Sequence, residues 1–311
     1  MQKNYKYKVF VRCYTYNQSS YILDTINGFC IQQISFPVVY CIVDDASTDG
    51  ERIVLREWAE QNLYLNNDEG FYKREMPYGE LFYAPLQTDN NALFVILLLN
   101  ENHHLKKDKL VYLTEWWQNA EYNAYCEGDD YWISADKIQK QIDFLDNNPE
   151  FGLIRTNVNR LYQSNSVYEE RIFDKSRIKD TYKDYLYHAW WAAPCTWVFR
   201  TELYQKAVDL AHTIQKIGGF PGDIVDILYF SCHSKIKYLP DVTAVYRVLD
   251  NSMSHFGNKN VSDSFFKSIR KTQRYFAKYY SSFFTRLCLE FFYTYKDLRY
   301  QLGMIKKIIN K

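Results

Sequence analysis

Two short acidic runs carry the residue types and spacing best suited to chemistry. Asp44-Asp45 closes the apolar run Val38-Val39-Tyr40-Cys41-Ile42-Val43, and Glu127-Gly128-Asp129-Asp130 follows a second apolar run at 122–126. Carboxylates held this close repel one another unless a cation neutralises them. A divalent cation such as Mg²⁺ or Mn²⁺ does this with oxygen ligands, and it keeps positions open for water or substrate phosphates. Acids in such places also cap helices and turns, and Asp44-Asp45 alone fits that reading equally well. The Glu-Gly-Asp-Asp run, followed by Tyr131-Trp132, fits metal or phosphate chemistry better. His103-His104 and His188 have no metal-like partners nearby in the sequence, so they read as solvated or packing histidines. Neither GxGxxG nor GxxxxGK[ST] occurs, which argues against dinucleotide-binding and P-loop enzymes. The pairs Trp116-Trp117 and Trp190-Trp191 suit sugar platforms and core packing alike.

The elements that must position these acids follow from periodicity. A short strand is expected at 8–12. A helix capped by Ser19 or Ser20 follows, with Ile22, Ile26, Phe29 and Gln33 at helical spacing. Pro37 breaks the chain before 38–43, whose unbroken apolar character suits a strand buried on both faces of a parallel sheet. A helix is expected from Glu51 to Asn62. Residues 66–91, with Gly70, Pro77, Gly79 and Pro85, read as loop, and 92–99 as strand or buried helix. Further on come a helix at 109–119, a strand at 122–126, and a helix capped by Ser134 that carries Ile138, Ile142 and Leu145 and stops near Pro149. Strands near 151–159, 196–200 and 237–247 and helices near 202–216 and 223–232 complete the main body. Such alternation implies an α/β fold with a mostly parallel sheet flanked by helices. Ligands of open α/β sheets bind at the carboxyl ends of the strands, where both acidic runs fall.

Bulk properties narrow the class. The 311 residues are 47% apolar and 24% charged, as in a folded globular protein. The seven cysteines are odd in number and form no CxxC, so they read as reduced thiols rather than disulfides or a zinc site. The first eight residues lack the apolar stretch of a signal peptide. The longest strongly apolar run, 92–99, is far short of the ~18–20 residues of a membrane-spanning helix. These features imply a cytoplasmic protein. Charge is unevenly placed: 259–311 carries 12 Lys and Arg against three acids, a net +9, which leaves −8 on the rest of a chain whose total is +1. Phe and Tyr alternate with those cations, so the tail reads either as a basic amphipathic helix on an anionic membrane or as a helical cap that shows its cations to water. It contains no recognised nucleic-acid-binding module, and nucleic acid is not an expected partner.

Taken together, the ordered motifs resemble the family 2 glycosyltransferases of the GT-A fold. Thr15-Tyr16-Asn17, some 27 residues before Asp44-Asp45-Ala46-Ser47-Thr48-Asp49-Gly50, resembles their uridine-binding strand ends. Tyr125-Cys126-Glu127-Gly128-Asp129-Asp130-Tyr131-Trp132 resembles the DXD region, with Glu127 in place of the usual first Asp, and Lys137-Ile138-Gln139-Lys140-Gln141 the helix after it. The run from Ala193 to Arg200 resembles the acceptor-side strand, and Gly222-Asp223 the motif that supplies the base. Val245-Tyr246-Arg247 with Ser252 to His255 resembles the loop that closes over the diphosphate, although Leu249 and Asn251 stand where relatives often have His and Gly.

The resemblance implies a GT-A catalytic domain over 1–258 and a helical extension over 259–311. It implies a nucleotide-sugar donor, a UDP-sugar above others, and a glycan or lipid-linked acceptor in surface polysaccharide synthesis. Asp44 and Asp45 would meet the uracil, with Tyr14, Thr15, Tyr16 and Asn17 around it and Tyr16 stacking nearby. Asp129 would bind ribose and metal together with Glu127 or Asp130, and Arg247 and His255 would approach the diphosphate or metal. Asp223 would be the general base, with Asp226 the competing choice. The implied chemistry is one in-line displacement with inversion, in which Mn²⁺ or Mg²⁺ offsets charge on the departing diphosphate and a carboxylate takes the acceptor proton. A sugar nucleotidyltransferase would show a glycine-rich basic loop near the N-terminus, which is missing. A catalytically inactive carbohydrate- or membrane-associated protein is the reading from a different class.

Overall fold

The computed structural model describes residues 4–65, 70–104, 106–174, 179–188, 193–220, 222–250 and 259–309 (backbone only at 259–262 and 303–309). Trp190, Trp191, Asn251, Ser252 and His255 lie outside the described residues. By its internal contacts the chain forms two compact units. One comprises Met1–Arg177, Ala192–Lys206 and His233–Gly257, and the other Ile178–Trp191, Ala207–Cys232 and Asn258–Lys311. The tail expected at 259–311 thus shares the second unit with two earlier segments.

The first unit opens with β1 (Tyr7–Thr15), α1 (Ile22–Cys30), β2 (Val38–Asp44), α2 (Glu51–Asn62), β3 (Tyr72–Met76), β4 (Gly79–Leu86) and β5 (Asp89–Leu99). It continues with α3 (Thr114–Trp117), β6 (Ala120–Tyr125), β7 (Tyr131–Trp132), α4 (Lys137–Asn147), β8 (Phe151–Tyr162), β9 (Val167–Glu169), β10 (Val198–Arg200) and β11 (Lys235–Val248). All strands join one sheet in the order β3-β4-β5-β2-β1-β6-β10-β8-β11-β7, with β9 on β8. β5, β2, β1 and β6 run parallel, the arrangement expected from the alternation of strands and helices. All seven residues of β2 are buried, because both faces of the central sheet are covered.

The chain leaves β1 toward β2 and β5, then returns to β1's other side as β6. This reversal of strand order is where open α/β sheets form ligand crevices. Thr15 pairs with Asp44 and Arg12 with Tyr125, so the two acidic runs emerge on either side of the end of β1. Aromatic packing fixes the frame beneath them. Phe29 of α1 stacks on Tyr40 at 4.8 Å and meets Trp132 edge-on at 5.1 Å, and the Trp132 indole donates to the Cys195 carbonyl at 2.8 Å. Burying each such ring is worth roughly 1.5–3 kcal/mol.

Several local expectations are corrected. The stretch 66–91 holds two antiparallel strands, β3 and β4, where a loop is expected. Two-residue turns make this possible: Pro77-Tyr78 joins Met76 to Gly79, and Gln87-Thr88 joins Leu86 to Asp89. A Cβ at Gly79 would collide with the Leu98 backbone, so its glycine serves close strand approach. Pro85 is tolerated because β3 ends its pairing at Tyr83, before a donor at 85 is needed on that side. Residues 92–99 are strand. The helix expected at 109–119 is a 3₁₀ turn (Lys109–Leu113) followed by the short α3. Neither expected serine cap is used. Tyr21 precedes α1 without a side-chain cap, and α4 starts after Asp136, to which the Ser134 hydroxyl donates.

The second unit is helical: α5 (Tyr182–His188), most of α6 (Thr201–Lys216), α7 (Asp223–His233), α8 (Lys259–Tyr280) and α9 (Phe283–Ile309). Gln273 of α8 donates to the Leu186 carbonyl and accepts from the Tyr293 hydroxyl, both at 2.7 Å. Arg270 and Arg274 make paired hydrogen bonds to Asp297 and Glu290 of α9. Among the described residues no helix is long and apolar enough to cross a membrane. All seven cysteines are free thiols.

Candidate active site

The loops after β1 and β2 are stapled by one buried carboxylate. Glu51, the first residue of α2, accepts from the Thr15 hydroxyl, from the Gln18 amide at 2.8 Å and from the Ser47 hydroxyl at 2.8 Å. Burial pushes its pKa up while these bonds oppose the rise. Asn17 reinforces the join, its amide donating to Ser47 Oγ at 2.8 Å and its Oδ1 accepting from the Thr48 amide at 2.7 Å. Asn17 and Ala46 both take left-handed backbone, with φ of 54° and 63°. For alanine this costs roughly 1–2 kcal/mol, and such strain concentrates at functional sites. Tyr16 projects outward, 47% exposed.

The two aspartates after β2 have different surroundings. Asp44 is buried, accepts from the Ser47 amide at 3.3 Å and lies 3.8 Å from Arg52, with its pKa pushed up by burial. It caps the turn. Asp45 accepts from the His103 amide at 2.6 Å through Oδ1 and pairs with Lys109 Nζ at 2.7 Å through Oδ2. The Lys109 ammonium also lies 5.0 Å from the Tyr14 ring, whose buried hydroxyl has no hydrogen-bond partner among the described residues. An acceptor and a donor thus sit side by side next to an aromatic ring.

The second acidic run divides its labour in the same way. Glu127 uses its extra length to reach back to β1, with Oε1 2.8 Å from Arg12 Nη2 and Oε2 2.8 Å from the Tyr14 amide. Asp130 is buried, accepts from the Arg247 amide at 2.9 Å and faces the Cys195 thiol, and burial with the Asp129 charge pushes its pKa up. The Thr25 hydroxyl holds the run in place through the carbonyls of Gly128 (3.0 Å) and Asp130 (2.6 Å). A side chain at Gly128 would collide with those of Thr15 and Gln18, so the run can lie against the β1 loop only with glycine there. Asp129 has neither of its neighbours' engagements. Burial first, then the Glu127 charge, pushes its pKa up to about 6, against help from its own amide, Arg247 and Gln18.

Arg247, in β11, is 4% exposed. Its Nη2 pairs with Asp24 Oδ2 of α1 at 2.7 Å, and its guanidinium lies over the Tyr21 and Tyr131 rings at 4.5 and 5.1 Å. Nε and Nη1 are buried without a hydrogen-bond partner among the described residues. Buried N–H groups left unpaired carry a desolvation cost that an anion such as phosphate removes.

These residues fit a divalent cation of the phosphate-bridging kind. Among the described residues no three His, Cys, Asp or Glu side chains converge on a site enclosed by protein alone. Mg²⁺-type sites commonly use only one or two carboxylates and complete their shell with water and substrate phosphates. Asp129, carrying excess negative charge beside the unspent donors of Arg247, suits that pattern.

Asp223 and Asp226 belong to the second unit, in the first turn of α7. Asp223 is half-buried, follows Gly222 at φ 82° and accepts from the Ile224 amide at 2.9 Å. Asp226 is 3% exposed. Sequence reasoning passed over Glu51, Lys109, Asp24 and Arg12. Glu51 opens a correctly placed helix, but nothing local marks the buried Thr15 and Ser47 hydroxyls it meets; Lys109 sits in a run of four lysines and acids, Lys106-Lys107-Asp108-Lys109, with no local pattern to mark it.

No family model matches the chain. Among solved structures it resembles S. aureus TarS 1-349 in complex with UDP-GlcNAc, with TM-score 0.53 and 16% identity over 85% of this chain and 65% of that one. The complex of the same protein with UDP gives TM-score 0.51 and 16% identity, covering 85% and 64%. At this identity the likeness shows the fold, a mixed α/β sheet flanked by helices as in glycosyltransferase structures, with a helical C-terminal end. Uncharacterized proteins of Mycobacterium bovis and Mycobacterium tuberculosis H37Rv are 34% identical over 136 residues, 44% of this chain and 31% of theirs. The match therefore spans less than a third of those relatives' length.

Proposed function

We propose that the protein is an inverting family 2 glycosyltransferase that moves a sugar from a UDP-sugar to a glycan or lipid-linked acceptor on the cytoplasmic side of a membrane. The observation that carries this reading is the pair of unspent, buried guanidinium N–H groups of Arg247 beside the charge-strained Asp129. One is a place for diphosphate oxygens, the other for the cation that accompanies them. The fold shared with TarS, solved with UDP and UDP-GlcNAc, supports it.

In this reading Asp45 and Lys109 recognise the base. Uracil offers an N3–H donor next to an O4 acceptor, which matches a carboxylate beside an ammonium. Cytosine presents the reverse pattern at the same two positions and leaves both groups unpaired, a mismatch that costs affinity. Tyr14 and the exposed Tyr16 flank the base, and Thr15 and Asn17 hold the loop that carries them. Asp129 would hold Mn²⁺ or Mg²⁺, which offsets negative charge on the diphosphate as it leaves. Glu127 and Asp130 position the run through Arg12 and Arg247, and Arg247 donates to the diphosphate. Asp223, less buried than Asp226, is the proposed base that takes the acceptor hydroxyl's proton, worth typically ~10²–10⁴-fold; His255 is a further proposed ligand.

The test is nucleoside diphosphate release from UDP-, GDP- and CDP-sugars offered with Mn²⁺ or with EDTA. Release of UDP alone, dependent on metal, supports the proposal, and NMR of the product's anomeric configuration checks inversion. Release from none of the donors, with acceptor extracts supplied, would reject it.

A further inference from the structure

Helix α9 carries an apolar face with no counterpart among the described residues. Toward α8 it presents Leu289 and Tyr293, both buried, with Glu290 and Asp297 paired to Arg274 and Arg270. At 100° per residue, Phe284, Phe291, Tyr295, Leu298 and Leu302 fall on the opposite side. They are 71%, 66%, 59%, 54% and 59% exposed. With Cys288 they form a seam at alternating spacings of four and three residues, 284-288-291-295-298-302. The sequence continues the same spacing to Ile305 and Ile309. Apolar residues repeating at 3.5 on average, over more than three heptads, are the pattern by which two helices pack knobs into holes.

We infer that this seam is the interface of a homodimer, in which the α9 helices of two copies pack face to face. Area supports a partner of this size. A large aromatic removes about 150–250 Å² from water when fully buried. The exposed fractions above, with Leu287 at 43%, therefore leave roughly 600–700 Å² to cover on each copy, against about 800 Å² per partner in a standard stable interface. Charge favours a second protein copy over a lipid surface. A helix lying in an anionic bilayer carries Lys and Arg along the borders of its apolar face. Here the borders of the whole seam are Leu287, Thr294, Gln301 and Ile308 on one side and Thr285, Phe292, Arg299 and Lys306 on the other, with two cations among eight positions and both on one side. With one border free of charge, two identical helices can approach with little like-charge repulsion.

The experiment is sedimentation equilibrium on the full chain, beside a Phe291→Glu/Leu298→Glu variant, with flotation on vesicles containing anionic phospholipid. The expected result is a mass of twice 37.3 kDa for the unaltered chain and a single copy for the variant, with UDP binding equal in both. Hydrogen exchange on the unaltered chain should show protection of 284–302 that rises with protein concentration, a readout that does not depend on the variant folding. A single copy at all concentrations, a dimer that survives both glutamates, or a single copy that floats with the vesicles through this face would each overturn the inference. Failure here would leave UDP binding untouched, so it is separable from failure of the catalytic reading.

Discussion

Lys109 Nζ lies 2.7 Å from Asp45 Oδ2, a pair made by two segments 64 residues apart and set beside the Tyr14 ring. Because Asp45 is buried and also accepts the His103 amide, the pair presents a fixed acceptor and a fixed donor to any base that enters. Lys109→Met should weaken UDP binding by roughly 10–100-fold, the loss of one charged hydrogen bond. It should also shrink the preference for UDP over CDP. Calorimetry with the two nucleotides checks this; an unchanged UDP-to-CDP ratio would remove Lys109 from base recognition.

Arg247 is predicted to act on phosphate and not on the nucleoside. Arg247→Met should bring UDP affinity down to that of uridine while uridine itself binds as before. Equal loss of both ligands would mean that the substitution had disturbed the pocket through Asp24 or Asp130, the two carboxylates Arg247 touches.

Asp129 gives a pH dependence with a definite sign. Its folded pKa, about 6, is raised above the ordinary aspartate value of 3.8 by burial and then by the Glu127 charge, so the folded state favours the protonated form. Without metal, this group therefore costs stability above pH 6, and the cost is relieved as pH falls from about 6 toward 4. Cation binding needs the ionised form, so metal-assisted UDP binding should fade as pH drops through about 6. Asp129→Asn should abolish that metal effect and raise the melting temperature of the metal-free protein at pH 7, by an amount corresponding to the order of 1 kcal/mol. A lower melting temperature for Asp129→Asn would contradict this.

Glu51 is predicted to be structural. Glu51→Ala strands the Gln18 amide and the Ser47 hydroxyl, while the Thr15 hydroxyl keeps Gln18 Oε1 at 2.8 Å as its acceptor. Unfolding by urea should show a loss of about 2–4 kcal/mol, from two orphaned donors at ~1–3 kcal/mol each with partial relaxation. A loss well under 1 kcal/mol would show that the loops hold without it.

Asp223→Ala should abolish transfer and spare UDP binding. Parallel loss of both would place the residue in the donor site, and transfer at the original rate would return the role of base to Asp226.

Much of the frame was legible in the sequence because it rests on local signals. The apolar run of β2, the helix Glu51–Asn62 and the placement of both acidic runs at the ends of parallel strands follow from periodicity and turn residues alone. The β3–β4 hairpin was not legible. Tyr72–Met76 is mostly exposed, so it lacks the apolar alternation that marks a strand. The division of labour among the acids was hidden for a different reason. Which of Asp44, Asp45, Glu127, Asp129 and Asp130 stays available depends on Ser47, Lys109, Arg12 and Arg247, partners that only the fold brings near. Glu127 shows the point most clearly: named from the resemblance beside Asp130 as a partner of Asp129 at the metal, it reaches Arg12 and the Tyr14 amide with its longer side chain.

The central claim is a metal-assisted UDP site built on Asp45, Asp129 and Arg247, and calorimetric titration tests it most directly. The protein would be titrated with UDP, GDP and CDP, each with and without Mn²⁺, beside Asp129→Ala. The account predicts binding of UDP in preference to the other two, strengthened by Mn²⁺ in the unaltered chain and indifferent to it in the variant. No binding of any nucleotide under these conditions, or equal binding of all three, would contradict it.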